Sequence, residues 1–195
     1  MQDKKRAENS TVKKLIKGDL NLSTSKDILN ELHRFYSELF NRKIAKTLDE
    51  CQTILDTLQI PSISNEHKLL CDQALTLKDL ETSLFQMGSG KSPGNDGLAV
   101  EFYKFFWNDL KDVYFESVKY SKIKGELSTS QRQALIKLIG KKDKDKRFVE
   151  NWRPISLLNV DSKILSKFLA TRMIPVLPTI ISYDQTAYVE ESLYW

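Results

Sequence analysis

Apolar residues recur at helical spacing through the first third of the chain, then give way to two short apolar runs flanking a block of lysines. After Ser25, which predicts a cap, Ile28, Leu29, Leu32, Phe35, Tyr36, Leu39 and Phe40 fall three and four residues apart, the pattern of a helix with one buried stripe. Thr47 and Glu50 form a capping-box pair ahead of a second stripe, Cys51, Ile54, Leu55 and Leu58, which Ile60-Pro61-Ser62 ends. Ser64 predicts a brief helix around Glu66–Cys71. Thr76 with Asp79 opens another that sets Leu80, Ser83, Leu84 and Met87 on one face. Residues 25–87 therefore read as a helical segment. Residues 1–24 are polar and interrupted by Gly18, and read as a loose polar arm, disordered or carrying a short helix.

Residues 88–97, Gly-Ser-Gly-Lys-Ser-Pro-Gly-Asn-Asp-Gly, hold four glycines and a proline in ten positions, which predicts a loop. Its Gly-Ser-Gly-Lys-Ser core is not a P-loop. Phe85 stands where the first glycine of that motif is required, and the loop follows a helical pattern rather than a strand. Its backbone N–H groups and Lys91, ahead of a helix N-terminus, still suit a phosphate; a plain flexible turn is the alternative. A long helix rich in aromatics is predicted from about Ala99 to Lys122, its rings more often core than platforms for bases. After a break at 125–130, Ala134–Ile139 and Arg153–Leu158 read as strands joined into an antiparallel hairpin by the basic loop between them. Asp161 predicts the cap of a final helix carrying Ile164, Leu165, Phe168, Leu169 and Met173 inward, with Pro175 and Pro178 stopping it. The fold class is α+β.

Composition changes little: 195 residues, 41% hydrophobic and 29% charged, are ordinary for a globular chain able to bury a core. The net charge of +4 says less than its distribution. Lys137, Lys141, Lys142, Lys144, Lys146 and Arg147 stand against only Asp143 and Asp145. That loop is either a solvated charged turn or a surface that displaces counterions from a nucleic-acid backbone. Pro154 holds Arg153 extended, which fixes the direction of a guanidinium able to grip phosphate oxygens in bidentate fashion; a salt bridge to a carboxylate such as Glu150 is the alternative. Cys51 and Cys71 belong to no Cys-x-x-Cys pair, and His33 and His67 complete no zinc pattern, so the thiols read as free in a reducing compartment. No apolar run reaches the roughly 20 residues of a membrane span, and no apolar segment follows the charged N-terminus. An intracellular protein with no membrane partner is expected.

Five segments occur in a characteristic order: Lys91-Ser-Pro-Gly-Asn-Asp-Gly-Leu, Glu101-Phe-Tyr-Lys, Ala134-Leu-Ile-Lys-Leu-Ile-Gly-Lys-Lys, Asn151-Trp-Arg-Pro-Ile-Ser-Leu-Leu-Asn-Val-Asp-Ser-Lys-Ile-Leu-Ser-Lys-Phe-Leu-Ala-Thr-Arg, and Asp184-Gln-Thr-Ala-Tyr-Val. Over residues 84–190 they resemble the N-terminal half of a LINE-type non-LTR retrotransposon reverse transcriptase. His33-Arg-Phe-Tyr-Ser-Glu-Leu-Phe resembles, more weakly, the helical segment upstream of the polymerase in that family. The resemblance implies a helical N-terminal segment followed, over 88–195, by a partial right-hand polymerase fingers region and the start of the palm. It implies that Lys141 and Arg153 lie over the incoming nucleotide's triphosphate and that the Lys91–Gly94 loop lies near template and primer. Lys91, Lys142, Lys144, Lys146, Arg147 and Lys163 form the expected nucleic-acid-binding set.

Departures from the family's pattern accompany the match. Gly140 stands where proline is usual, which predicts a looser turn, and Asp143 where glycine is common. Glu190-Glu191 brings negative charge where positive is usual. The family's metal-binding aspartates come from Ala-Phe-Asp and Phe-Ala-Asp-Asp motifs downstream of these residues, and no Asp-Asp pair occurs in the 195. The expectation is a truncated reverse-transcriptase-like protein with no cofactor of its own, magnesium being needed only by a complete polymerase. It would bind an RNA or DNA template-primer weakly, would not polymerise alone, and would have marginal stability without a palm-containing segment. The alternatives are a piece of an active RNA-directed DNA polymerase and a non-enzymatic helical interaction protein.

Overall fold

A computed structural model describes residues 11–41, 47–59 and 61–181. The chain forms two compact units: one from residues up to 48 together with 135–157, the other from 49–134 together with residues from 158 onward.

The first unit opens with a hairpin inside the stretch expected to be a loose arm, a correction for residues 15–22. Strands β1 (Leu15–Lys17) and β2 (Leu20–Leu22) pair antiparallel with Leu15 opposite Leu22 and Lys17 opposite Leu20. Gly18, at φ 55°, supplies the left-handed backbone that a two-residue turn demands, so the glycine makes the turn rather than interrupting a helix. Helix α1 (Ser25–Phe40) is capped by Thr24, not Ser25: the Thr24 hydroxyl oxygen accepts from the Asp27 N–H at 3.2 Å. Its stripe is only partly used. Ile28 is buried with Leu15 and Val149, and Leu32, Phe35 and Tyr36 pack around them, whereas Leu29, Leu39 and Phe40 are exposed. Glu31 is a buried charge of this unit. It pairs with Arg34 and, at 2.8 Å, with Lys17, and these cations hold its carboxyl down at about 2. Strands β3 (Ala134–Gly140) and β4 (Trp152–Leu158) form the second hairpin, as the sequence predicts, with one turn of 3₁₀ helix at Val149–Asn151.

The second unit is helical: α2 (Leu48–Asp56), α3 (Asn65–Asp72), α4 (Leu77–Phe85), α5 (Val100–Phe105), α6 (Trp107–Lys124), α7 (Thr129–Arg132), α8 (Val160–Met173) and α9 (Leu177–Ile180). Helix α4 sits centrally against α8, α6 and α5. Leu80, Leu84, Val100, Trp107, Tyr114, Val118, Val160, Ile164 and Phe168 make one continuous core. Ser64 caps α3, and Thr76 and Asp79 close a reciprocal capping box on α4, both as expected. The stripe of α2 is not buried: Cys51, Ile54, Leu55 and Leu58 are exposed. Periodicity predicts the helix but cannot supply a neighbour to cover it.

The single aromatic helix expected over 99–122 is two. Phe106 leaves helical geometry at ψ 14°, and Trp107 restarts the chain with its indole buried and its N–H donated to Glu81 at 3.3 Å. Trp107 and Tyr114 are core, Tyr103 and Phe115 line it, and Phe105 is 80% exposed. Gly125, at φ 69°, ends α6 in the left-handed conformation that favours glycine. The N-cap of α8 is Asn159 rather than Asp161, whose side chain bonds only the next N–H, that of Ser162 at 2.7 Å. The helix stops ahead of Pro175 as predicted. Ile164 and Phe168 point inward, while Leu169 and Met173 are exposed.

Candidate nucleic-acid interface

In the first unit the Lys141 N–H donates to the Asn151 carbonyl at 2.8 Å and closes the β3–β4 hairpin. Antiparallel pairing about that bond sets Gly140 opposite Trp152, and strand alternation then fixes both faces. Ile136, Leu138, Pro154 and Ser156 share the face that meets α1, where they line a groove of about 630 Å³ with Tyr36 and Phe40. Lys137, Ile139, Lys141, Arg153 and Ile155 fall on the other face, and Lys141 is a diagonal cross-strand neighbour of Arg153, roughly 7–8 Å apart along the ladder. Arg153 is exposed and has no carboxylate partner among the described residues; Glu150 does not bond it.

The basic turn is tied down rather than loose. Trp152 Nε1 donates to the Lys146 carbonyl at 2.8 Å, Asn151 Nδ2 to the Asp145 carbonyl at 2.9 Å, and the Ile16 N–H to the Arg147 carbonyl at 2.7 Å. Gly140 lies close over the Lys146 stem: a Cβ there would meet Lys146 Cε at 2.8 Å. Asp143 adopts φ 57°, the conformation a glycine takes freely and aspartate tolerates. Lys142 and Lys144 project into solvent. Arg147 instead folds onto Asp145 at 2.7 Å, which holds the Asp145 carboxyl below its usual range.

The second unit carries Lys91 and Lys163. Loop 88–97 is pressed onto the start of α8 at Gly94, where a Cβ would lie 2.5 Å from the Asn159 nitrogen and 2.6 Å from the Leu158 carbonyl carbon. Asn159 is only 3% exposed and acts as the joint. Its Oδ1 accepts from the Asp96 N–H at 3.4 Å, and its Nδ2 donates to the Ser130 carbonyl at 3.2 Å. Nearby, the Gly90 N–H donates to the Glu101 carboxylate at 2.5 Å, which lowers that group's pKa. The Lys104 ammonium donates to the carbonyls of Phe85 and Met87 at the end of α4, at 3.1 and 2.7 Å. Lys163 reaches back to the Ser92 carbonyl at 3.3 Å. Lys91, Lys163 and Lys167 then line one cleft of about 400 Å³, with Met87, Gly88 and Val100 in its wall. Lys167 is absent from the sequence-derived set. Its signal is the four-residue step from Lys163 on a helix that buries Ile164 and Phe168.

Among the described residues no three His, Cys, Asp or Glu side chains are gathered as metal ligands, and no helix is long and apolar enough to cross a membrane.

The chain is similar to a protein encoded by a transposon. That relative is the Transposon TX1 uncharacterized 149 kDa protein of Xenopus laevis, with 37% identity over 159 residues, 82% of this chain. The chain spans 12% of that relative's length. No family model matches the sequence.

Proposed function

We propose that this chain is the nucleotide-gripping fingers part of a reverse transcriptase from a LINE-type non-LTR retrotransposon. The ordered motifs and the identity to a transposon-encoded protein support this origin. The observation that carries the role is the hairpin. Its pairing sets Lys141 and Arg153 on the face opposite α1, over a turn whose carbonyls are already bonded. A guanidinium whose backbone Pro154 keeps extended takes two phosphate oxygens at once, and a neighbouring ammonium adds a movable point charge. Lys142 and Lys144, at the tip, serve template or primer backbone. On this reading strand synthesis needs the metal-binding aspartates of a palm, and this polypeptide by itself binds without polymerising.

Binding of a fluorescent deoxynucleoside triphosphate to the purified chain tests the role. Arg153→Ala and Lys141→Ala are expected to weaken binding about tenfold, the worth of one charge-assisted hydrogen bond, and Lys144→Ala less than threefold. Equal losses for all three would make Arg153 structural and end the assignment. DNA synthesis by the purified polypeptide would overturn the non-polymerising half. The second reading, a protein-interaction module, draws on the apolar groove beside α1. It requires partner binding that is indifferent to salt, where phosphate contacts weaken as salt rises.

A further inference from the structure

We propose that Ser92 is an acceptor for a proline-directed protein kinase, and that its phosphate, once attached, is clamped by Lys91, Lys163 and Lys167. The inference stands apart from the fingers reading, since no step in it involves Lys141, Arg153 or a nucleic acid.

Sequence and backbone argue first. The chain has five prolines, and only Pro93 follows a serine or threonine. Pro93 keeps Ser92 extended, the form in which a kinase cleft takes up its substrate, and brings no N–H that the cleft would have to satisfy. Ser92 is exposed and lies in neither helix nor strand. Its flanks are firm: the Gly90 N–H is bonded to Glu101, and Gly94 is packed on Asn159. The serine is thus displayed between two fixed points.

Charge argues second. Lys163 Nζ already meets this residue, donating to the Ser92 carbonyl at 3.3 Å. Lys91 lines one cleft with Lys163 and Lys167, which stand one turn apart on α8. Like charges at that spacing destabilise a helix unless something offsets them. No carboxylate pairs with any of the three among the described residues. The nearby acid, Glu101, is turned onto the Gly90 N–H, and Lys104 is committed to two carbonyls. The cleft holds cations without counter-charges, beside a residue whose hydroxyl can carry one.

The chemistry closes the argument. The Ser92 Oγ attacks the γ-phosphorus of a magnesium-bound ATP held by the kinase. The Oγ–P bond forms, the bond from that phosphorus to the β,γ-bridging oxygen breaks, and ADP leaves with the electron pair. The hydroxyl proton passes to the catalytic aspartate of the kinase. The product carries nearly two negative charges and three strong acceptor oxygens, enough for about one to three charge-assisted hydrogen bonds to facing cations. The phosphate hangs from the residue whose carbonyl Lys163 already meets, so side-chain rotation alone brings it to the ammonium. The result is an ionic brace from loop 88–97 to α8 that enzymes can add and remove.

The test uses the full chain, a purified proline-directed kinase and magnesium ATP. Intact-mass and fragment-ion spectra are expected to show one phosphate, on Ser92, and none there in Ser92→Ala. Phosphorylation is expected to raise the low-salt melting temperature by about 3–6 °C, as about two charge-assisted hydrogen bonds would in a chain this size. In Lys163→Gln/Lys167→Gln, measured against its own unphosphorylated melt, the rise is expected to fall below about 1 °C. Ser92→Asp, with a single charge, is expected to give less than about half the parent's rise. Phosphorus NMR supplies a readout that a general gain in stability would not move. The phosphoserine's second ionisation is expected below the roughly 6 of a free one in the parent, and back near it in the double variant. A folded chain that takes no phosphate at Ser92 would overturn the acceptor. A phosphorylated chain whose melt does not rise, or rises as much in the double variant, would overturn the clamp.

Discussion

Replacing Gly94 with alanine puts a methyl group where backbone already stands. The new Cβ would lie 2.5 Å from the Asn159 nitrogen and 2.6 Å from the Leu158 carbonyl carbon, with the Asn159 side-chain oxygen nearer still. Carbon contacts settle at about 3.5–4.0 Å, so something must retreat by about 1 Å. Side chains can rotate away, but the peptide leading into α8 cannot. The loop is therefore forced off the helix, and the Asp96 N–H to Asn159 bond goes with it. Overpacking costs about 1–3 kcal/mol. The loosened Asn159 joint adds about 1 kcal/mol as a buried amide loses a partner. A total of about 2–4 kcal/mol lowers the melting temperature of a chain this size by about 5–15 °C. Circular dichroism melts of Gly94→Ala, Asn159→Ala and the double variant measure it. Because Asn159→Ala removes one of the obstacles, the two losses should fall short of additivity by at least about 0.5 kcal/mol. A Gly94→Ala melt within about 2 °C of the parent would refute the packing argument.

Two further outcomes follow from charged side chains that the fold holds in place. Arg172 lies over the Phe168 ring at 4.3 Å, donates to the Gln73 carbonyl at 2.5 Å and the Cys71 carbonyl at 3.3 Å, and tethers the end of α3 to α8. Arg172→Ala is expected to cost about 2–4 kcal/mol from lost charged hydrogen bonds and cation–π contact. Urea titration should show a lower midpoint at unchanged slope, with Arg172→Lys intermediate because an ammonium keeps the charge but loses the planar stacking on the Phe168 ring. Glu31, held at about 2 against an ordinary 4.5, contributes stability that is complete above pH 4.5 and drains away as pH falls toward 2. A pH series of melts should show this acid limb, and Glu31→Gln should flatten it; a limb that survives the substitution would place the titration elsewhere.

The β3–β4 hairpin was legible because two apolar runs with a polar insert leave few alternatives, and so were the caps at Ser64 and Thr76–Asp79 and the stop before Pro175. The β1–β2 hairpin was not, because strands of three residues carry too little alternation to outweigh a polar neighbourhood. Nothing local announces the break at Phe106, where neither glycine nor proline stands; burial of the Trp107 indole accompanies it. Of the candidate site, the shared face of Lys141 and Arg153 is readable by counting alternate residues from the turn. The meeting of Lys91 with Lys163 and Lys167 is not, since no periodicity links a loop to a helix so distant in sequence.

The first unit is assembled from two stretches of chain separated by most of the second, and this shapes its birth on the ribosome. Leu15 and Ile28 complete their packing on Val149, roughly 120 residues later, a closure whose entropic cost grows slowly with length but whose delay does not. At about 5–20 residues per second of synthesis, the greasy side of α1 waits on the order of ten seconds for its cover. Through that interval the nascent polypeptide is a natural client for holding chaperones.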